Sequence, residues 1–207
     1  MDIRPIRSSL SELNLKRRGV YSFKDKSLDD FNTYGDTKLQ KIKNTFKDYI
    51  DNIDFKFLGN EGLFCFGANG NGKTFLTSIV VKEAYRHRYT SKRVTFVEYL
   101  REYTRVWGLF GAEKEVAEFN LYNDIKSVEF LVIDEVGKEI DSKVAQPIIE
   151  DLLRYREDNS LVTILVTNYT LGQLKEKYGN SVYSLIKGNC RPIKFVGTDR
   201  RVVKDEE

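Results

Sequence analysis

Histidine, cysteine and tryptophan are scarce in this sequence, with one histidine, two cysteines and one tryptophan among 207 residues. Cys65 and Cys190 lie far apart without CxxC spacing, and His87 stands alone, so no metal-cluster ligand pattern is readable. The thiols read as reduced and structural, with Cys65 inside a strand, as expected of a cytoplasmic protein. Long apolar runs are missing too. No stretch nears the ~18 apolar residues of a membrane span, and the basic N-terminus leads into no apolar signal core. A cytoplasmic chain without membrane contact is predicted. Charge of one sign is not in large excess: 34 Lys and Arg against 31 Asp and Glu leave +3. Such a balance permits contact with nucleic acid without demanding it. What is present is a globular composition, 41% apolar and 13% aromatic. The length suits one main domain plus an extension.

The patterning alternates helix and strand. A short helix is expected over Ser8–Leu15, broken at Lys16-Arg17-Arg18-Gly19; Leu39, Ile42, Phe46, Tyr49, Ile50 and Ile53 then mark one face at helical period. Gly62-Leu63-Phe64-Cys65-Phe66-Gly67 reads as a buried strand and Lys73–His87 as the helix after it. Further strands are expected at Val94–Val97, Phe130–Asp134, Leu161–Thr167 and Arg191–Val196. Helices are expected at Glu98–Trp107, Lys143–Asp158, Leu171–Tyr178 and Ser181–Lys187, with 108–127 helical or irregular. This order predicts an α/β three-layer sandwich around a mostly parallel sheet.

Gly67-Ala68-Asn69-Gly70-Asn71-Gly72-Lys73-Thr74 fits GxxxxGK[ST] at every position, between a predicted strand and a predicted helix. Glycines let the backbone wrap a phosphate so that successive N–H groups and a helix N-terminus face the anion. Lys73 would reach the β- and γ-phosphates, and Thr74 would place its hydroxyl on Mg²⁺. Phe75, next in the chain, completes the expected ATP- or ADP-binding set.

The apolar run Phe130–Ile133 ends in two acids, Asp134 and Glu135. In an open α/β sheet the strand ends are where ligands bind. Asp134 is placed to hold Mg²⁺ through its water shell, and Glu135 to orient and deprotonate a water. The strand Leu161–Thr167 ends likewise in a polar residue, Asn168, a neutral amide able to hold that water or contact the γ-phosphate.

These strand ends, in this order, resemble the AAA+ (ASCE) P-loop superfamily. Within it the chain is most similar to bacterial replicative helicase loaders of the DnaC/DnaI type and to the related IstB transposition helper ATPases. The resemblance runs from about Tyr21 to Arg201 and includes the leading segment Tyr21–Phe31, Leu153-Arg154-Tyr155-Arg156 and Gly197-Thr198-Asp199-Arg200-Arg201. It implies an ATPase domain over 21–207, a short N-terminal arm over 1–20 that contacts a partner, and little or no C-terminal lid. Gly67–Thr74 takes the place of Walker A, Asp134-Glu135 of Walker B, Asn168 of sensor 1, and Arg200 or Arg201 of a sensor-2-like cation. The segment Phe23–Phe31 is expected near the adenine. Leu185 stands where such loaders carry an arginine finger, which leaves Lys187 or Arg191 as candidates for that charge and makes nucleotide-dependent self-assembly an open expectation.

The implied function is a helicase-loading ATPase acting on a DnaB-type replicative helicase, with single-stranded DNA as a further partner and a phage or mobile element as the source suited to so short an arm. A basic and aromatic set is the candidate DNA contact: Arg86, Arg88, Lys92, Arg93, Arg101 and Arg105 with Tyr99, Tyr103 and Trp107. The other readings are an IstB-like transposition helper, a small-molecule P-loop kinase and a nucleotide switch without hydrolysis.

Overall fold

The structure is a computed structural model that describes residues 11–140 and 142–197. Its strands are β1 (Gly62–Phe66), β2 (Ser91–Thr95), β3 (Phe130–Val136), β4 (Val162–Thr167) and β5 (Cys190–Lys194). They form one sheet in the order β2-β3-β4-β1-β5, and every pairing is parallel. The helices are α1 (Glu12–Arg17), α2 (Thr37–Asp51), α3 (Ile53–Leu58), α4 (Lys73–Arg86), α5 (Phe96–Trp107), α6 (Gly111–Leu121), α7 (Ser142–Asp158) and α8 (Leu171–Asn189). A 3₁₀ turn spans Tyr21–Phe23 and a π-turn Tyr122–Lys126.

Strand side chains alternate between the two faces, as a period of two requires. Leu63, Cys65, Val132, Ile164 and Val166 join Phe46 of α2 and Leu76 and Val80 of α4 in one core. Phe64, Leu131, Ile133 and Leu165 join Tyr99 of α5, Ile149 and Leu152 of α7 and Leu174 and Val182 of α8 in the other. The three-layer α/β expectation therefore holds. An all-parallel sheet gathers its carboxyl-terminal strand ends on one rim, and that rim carries Gly67, Asp134 and Asn168.

The sequence reading differs from the structure at several boundaries. The strand expected at Val94–Val97 lies earlier, as β2 over Ser91–Thr95, and Phe96 and Val97 open α5 instead. The cause is a capping box in which the Glu98 N–H donates to Thr95 Oγ1 (3.2 Å) while Glu98 Oε2 accepts from the Thr95 N–H (2.8 Å). The first helix starts at Glu12 behind the Ser11 cap and runs on to Arg17. The last strand is Cys190–Lys194, although the Phe195 N–H still donates to the Phe66 carbonyl at 2.7 Å. The two late helices expected at Leu171–Tyr178 and Ser181–Lys187 agree with the structure: they are the two halves of α8, which breaks at the non-helical Gly179 (φ 85°, ψ 178°). The stretch after 197, where little or no lid is expected, lies outside the described residues.

Candidate functional site

The glycine-rich loop enters from β1 and closes at the N-terminus of α4, as its sequence context predicts. Gly72 caps that helix in the left-handed region (φ 90°), and a Cβ there would fall 2.6 Å from the Phe31 ring. Gly67 (φ 140°) backs so closely onto the chain after β5 that a Cβ would lie 2.3 Å from the Phe195 carbonyl oxygen. The Lys73 ammonium donates to the carbonyls of Gly67 (2.7 Å) and Ala68 (2.5 Å) and to Asn71 Oδ1 (3.2 Å), so the loop holds its own cation at its centre. Asn71 is 1% exposed, and its Nδ2 has no protein partner among the described residues, which leaves a buried donor in the cradle.

Asp134 and Thr74, 60 positions apart, meet here: the Thr74 hydroxyl donates to Asp134 Oδ2 at 2.9 Å. Asp134 is 2% exposed. Its Oδ1 accepts the Glu135 N–H (2.8 Å), and its Oδ2 also accepts Arg93 Nε (3.1 Å) and Nη2 (2.7 Å). Glu135 occupies a β-bulge. Ile133 pairs with Leu165 and Val136 with Thr167, so β3 fits two residues where β4 has one. Glu135 adopts φ 59°, and its carboxylate, ion-paired to Lys138 at 2.7 Å, projects into the cleft. Behind it, buried Glu139 accepts from the Gly137 N–H (3.1 Å) and the Tyr178 hydroxyl (2.5 Å) and pairs with Lys177 (3.0 Å), which fastens the loop after β3 to α8. Asn168 Nδ2 donates to Asn69 Oδ1 at 2.7 Å, joining the end of β4 to the glycine loop.

Together these residues line a cleft of about 360 Å³ that Phe23, Phe75 and Arg93 also border. Phe75 stacks edge-on against Phe23 (5.9 Å) and lies tilted to Phe31 (6.1 Å). The leading segment thus reaches the site, as expected. It is held by Lys82, whose buried ammonium donates to the carbonyls of Phe23 (2.9 Å), Lys24 (2.9 Å) and Lys26 (2.5 Å); burial pulls its pKa down. A donor set of one carboxylate and one hydroxyl at a helix N-terminus suits a Mg²⁺ ion that keeps most of its water, and the described residues hold no cluster of three His, Cys, Asp or Glu fit for a protein-caged metal.

Sequence reasoning missed Arg93, Lys138, Lys82 and Glu139. By sequence Arg93 belongs to the candidate DNA-contact set, but its side chain borders the cleft, and Tyr99 of that set is fully buried in the core and cannot stack a base. Lys92 gives its ammonium to the Arg17 carbonyl (2.5 Å), Arg86 pairs with Glu83 (3.4 Å) and Arg105 with Glu102 (3.0 Å). Lys92, Arg93, Arg101 and Arg105 nevertheless line one surface groove beside β2 and α5, so Tyr99 is the member of the set that burial removes. Leu185 is 8% exposed within the second core, while Lys187 lies 5.9 Å from the Tyr183 ring and Arg191 pairs with Glu61 at 3.9 Å, at the start of β5. Arg200 and Arg201 lie outside the described residues. No described helix is long and apolar enough to cross a membrane.

No protein-family profile matches the chain. Among curated proteins it is 26% identical over 171 residues to the replicative helicase loader DnaC of Buchnera aphidicola subsp. Acyrthosiphon pisum, covering 81% of this chain and 67% of that one. It is 28% identical over 119 residues to the replicative helicase loader DnaI of Bacillus subtilis, covering 57% and 36%. It is 26% identical over 137 residues to DnaC of Escherichia coli, covering 66% and 53%, so the chain spans about half the length of some of these relatives. A crystal structure of the DnaC helicase loader superposes with a TM-score of 0.71 at 20% identity, covering 84% of this chain and 99% of that one. The replication initiator DnaA bound to AMPPCP and single-stranded DNA superposes at 0.65 with 17% identity, covering 84% and 50%. The solved structures carry the fold and the sequence matches a resemblance: the chain has the AAA+ P-loop α/β fold and is similar in sequence to the replicative helicase loaders DnaC and DnaI.

Proposed function

We propose that the chain binds ATP with Mg²⁺ in this cleft, hydrolyses it, and uses the cycle to load a DnaB-type ring helicase during DNA replication. The observation that carries the reading is the meeting of Thr74 and Asp134 at 2.9 Å, at the mouth of a loop that also centres Lys73. Loop N–H groups and the N-terminus of α4 would face the phosphates. Lys73 would exchange loop carbonyls for phosphate oxygens, a stronger charge-assisted pairing. Thr74 and Asp134 would hold Mg²⁺, which supplies charge neutralisation on the transferring phosphoryl group. Glu135, aimed out of its bulge, is the base for water, and Asn168 fixes the water or the terminal phosphate. Phe23 and Phe75 offer an apolar wall for the adenine. The helicase and single-stranded DNA are proposed as partners from the similarity to DnaC and DnaI.

The test is phosphate release to water with and without single-stranded DNA. Lys73→Ala is expected to lose nucleotide binding, and Glu135→Gln to bind ATP while turnover falls by about 10²-fold or more. Full turnover in Glu135→Gln would remove the general-base assignment, and phosphate passed to a nucleoside would favour a kinase. Pull-down with a replicative helicase, run beside a transposase, separates the loader from an IstB-like helper.

A further inference from the structure

Strand β2 lies at an edge of the sheet, and the segment after α1 covers that edge. The Arg93 N–H donates to the Arg18 carbonyl (2.8 Å), the Lys92 ammonium to the Arg17 carbonyl (2.5 Å), and Arg18 Nη1 to the Ser91 carbonyl (3.2 Å). Gly19, at φ 70°, lies so close that a Cβ would fall 2.2 Å from the Arg93 carbonyl oxygen. The Arg93 side chain leaves this contact in two directions. Nη1 donates to the Gly19 carbonyl at 3.2 Å, while Nε and Nη2 both land on Asp134 Oδ2.

That oxygen is the one that also takes the Thr74 hydroxyl. A carboxylate 2% exposed needs a paired charge, and Arg93 supplies it at 2.7 Å. One guanidinium therefore touches both the acid of the cleft and the backbone of the N-terminal segment. The other anchors of that segment run elsewhere: Lys82 to the carbonyls of Phe23, Lys24 and Lys26, and Arg18 over the Tyr85 ring at 3.7 Å.

We infer that Arg93 is a positioning residue that couples the metal site to the docking of residues 12–20: it serves as the counter-charge of Asp134, Mg²⁺ with nucleotide displaces it from Oδ2, and its hold on Gly19 then loosens. The inference rests on the reading of Thr74 and Asp134 as the Mg²⁺ site. Three donors already converge on one oxygen, and a divalent cation at Thr74 would stand a few ångströms from the guanidinium, where like charges repel strongly. Thr74 sits on a helix and Asp134 on a strand; Arg93 alone has a long rotatable stem. Linkage makes the effect reciprocal, so a partner that draws the segment off β2 changes the affinity for Mg²⁺ and nucleotide by the same factor. The segment proposed to grip a partner would thereby report on, and respond to, the nucleotide site.

The test is amide hydrogen exchange on the full chain with a non-hydrolysable ATP analogue, in Mg²⁺ or in EDTA. Exchange at Gly19, Val20 and Arg93, whose N–H groups donate to Lys16, Leu15 and Arg18, is expected to rise about threefold or more with Mg²⁺ and analogue and to stay flat with analogue in EDTA. In Arg93→Gln the rise disappears, and the Mg²⁺ concentration for half-maximal analogue binding falls about fivefold or more; Arg93→Lys, which keeps the charge without the fork, falls between. Analogue bound with Mg²⁺ but unchanged exchange in the wild-type chain overturns the coupling and leaves the nucleotide reading standing. No analogue bound at all overturns both. The wild-type experiment decides alone if Arg93→Gln folds poorly.

Discussion

Arg156 is fully buried and carries its charge among neutral acceptors: Thr163 Oγ1 (2.8 Å) and the carbonyls of Lys126 (2.9 Å), Val128 (2.9 Å) and Val162 (2.7 Å). Burial pulls its pKa down to about 9, so it remains a cation at neutral pH. It gathers the end of the π-turn, the approach to β3, the start of β4 and α7 at the rim opposite the cleft. Arg156→Met keeps most of the apolar stem and deletes all four bonds. Each buried acceptor left unpaired costs about 1–3 kcal/mol, partly offset because the desolvated charge goes too, so a net loss of about 3 kcal/mol is expected. For a chain of this length that lowers Tm by about 6–12 °C. Since β4 alone puts about 20 Å between Arg156 and the glycine loop, nucleotide affinity measured below the transition should be unchanged. Thermal denaturation by circular dichroism, paired with titration of a fluorescent nucleotide, checks both halves. A Tm shift under about 2 °C, or a parallel loss of affinity, refutes the argument.

Two further predictions follow from burial and capping. Cys65 and Cys190 are free thiols at 0% and 8% exposure, and burial raises both pKa values, that of Cys190 to about 12. A thiol reagent at pH 8 should therefore titrate neither in the native protein and both after denaturation; one equivalent consumed natively would contradict the packing. Glu98 is held below the ordinary carboxylate pKa first by the Thr95 N–H, then by its hydroxyl. A depressed folded pKa stabilises above the unfolded value and is lost as pH falls through the folded one. Glu98→Ala should thus lower Tm by about 2–4 °C at pH 7, with the gap to wild type closing below about pH 4. A gap independent of pH would mean that the carboxylate is not the capping group.

The site was legible where chemistry constrains several residues at once. GxxxxGK[ST] spans eight positions and constrains four of them, and Asp134 and Asn168 each follow an apolar strand run, so the sheet had to bring them to one rim. Arg93 was not legible. In Ser-Lys-Arg-Val it looks like one of several surface cations, and only the pairing of β2 with β3, which sets Arg93 opposite Val132 and on the same face as Asp134, gives it a partner. Tyr99 failed in the opposite sense: helical spacing could not say which side of α5 meets the sheet. The end of β2 was misread because Phe96 and Val97 have strand propensity, which the box formed by Thr95 and Glu98 overrides. Lys82 looked like an ordinary helix lysine until the leading segment laid three carbonyls over it.

The bulge at Glu135 bears on how this chain can change. Without that residue, Ile133, Asp134 and Val136 would run in step against Leu165, Val166 and Thr167, with Val136 still on the face of its core. The left-handed backbone strain at φ 59° would vanish as well. A one-residue deletion should therefore spare the sheet while removing the projecting carboxylate and the N–H that Glu135 gives to Asp134 Oδ1. Folding alone has no need of the extra residue, so a chain shortened by Glu135 is expected to keep its thermal stability and, on the role proposed for Glu135, to bind nucleotide without turning it over.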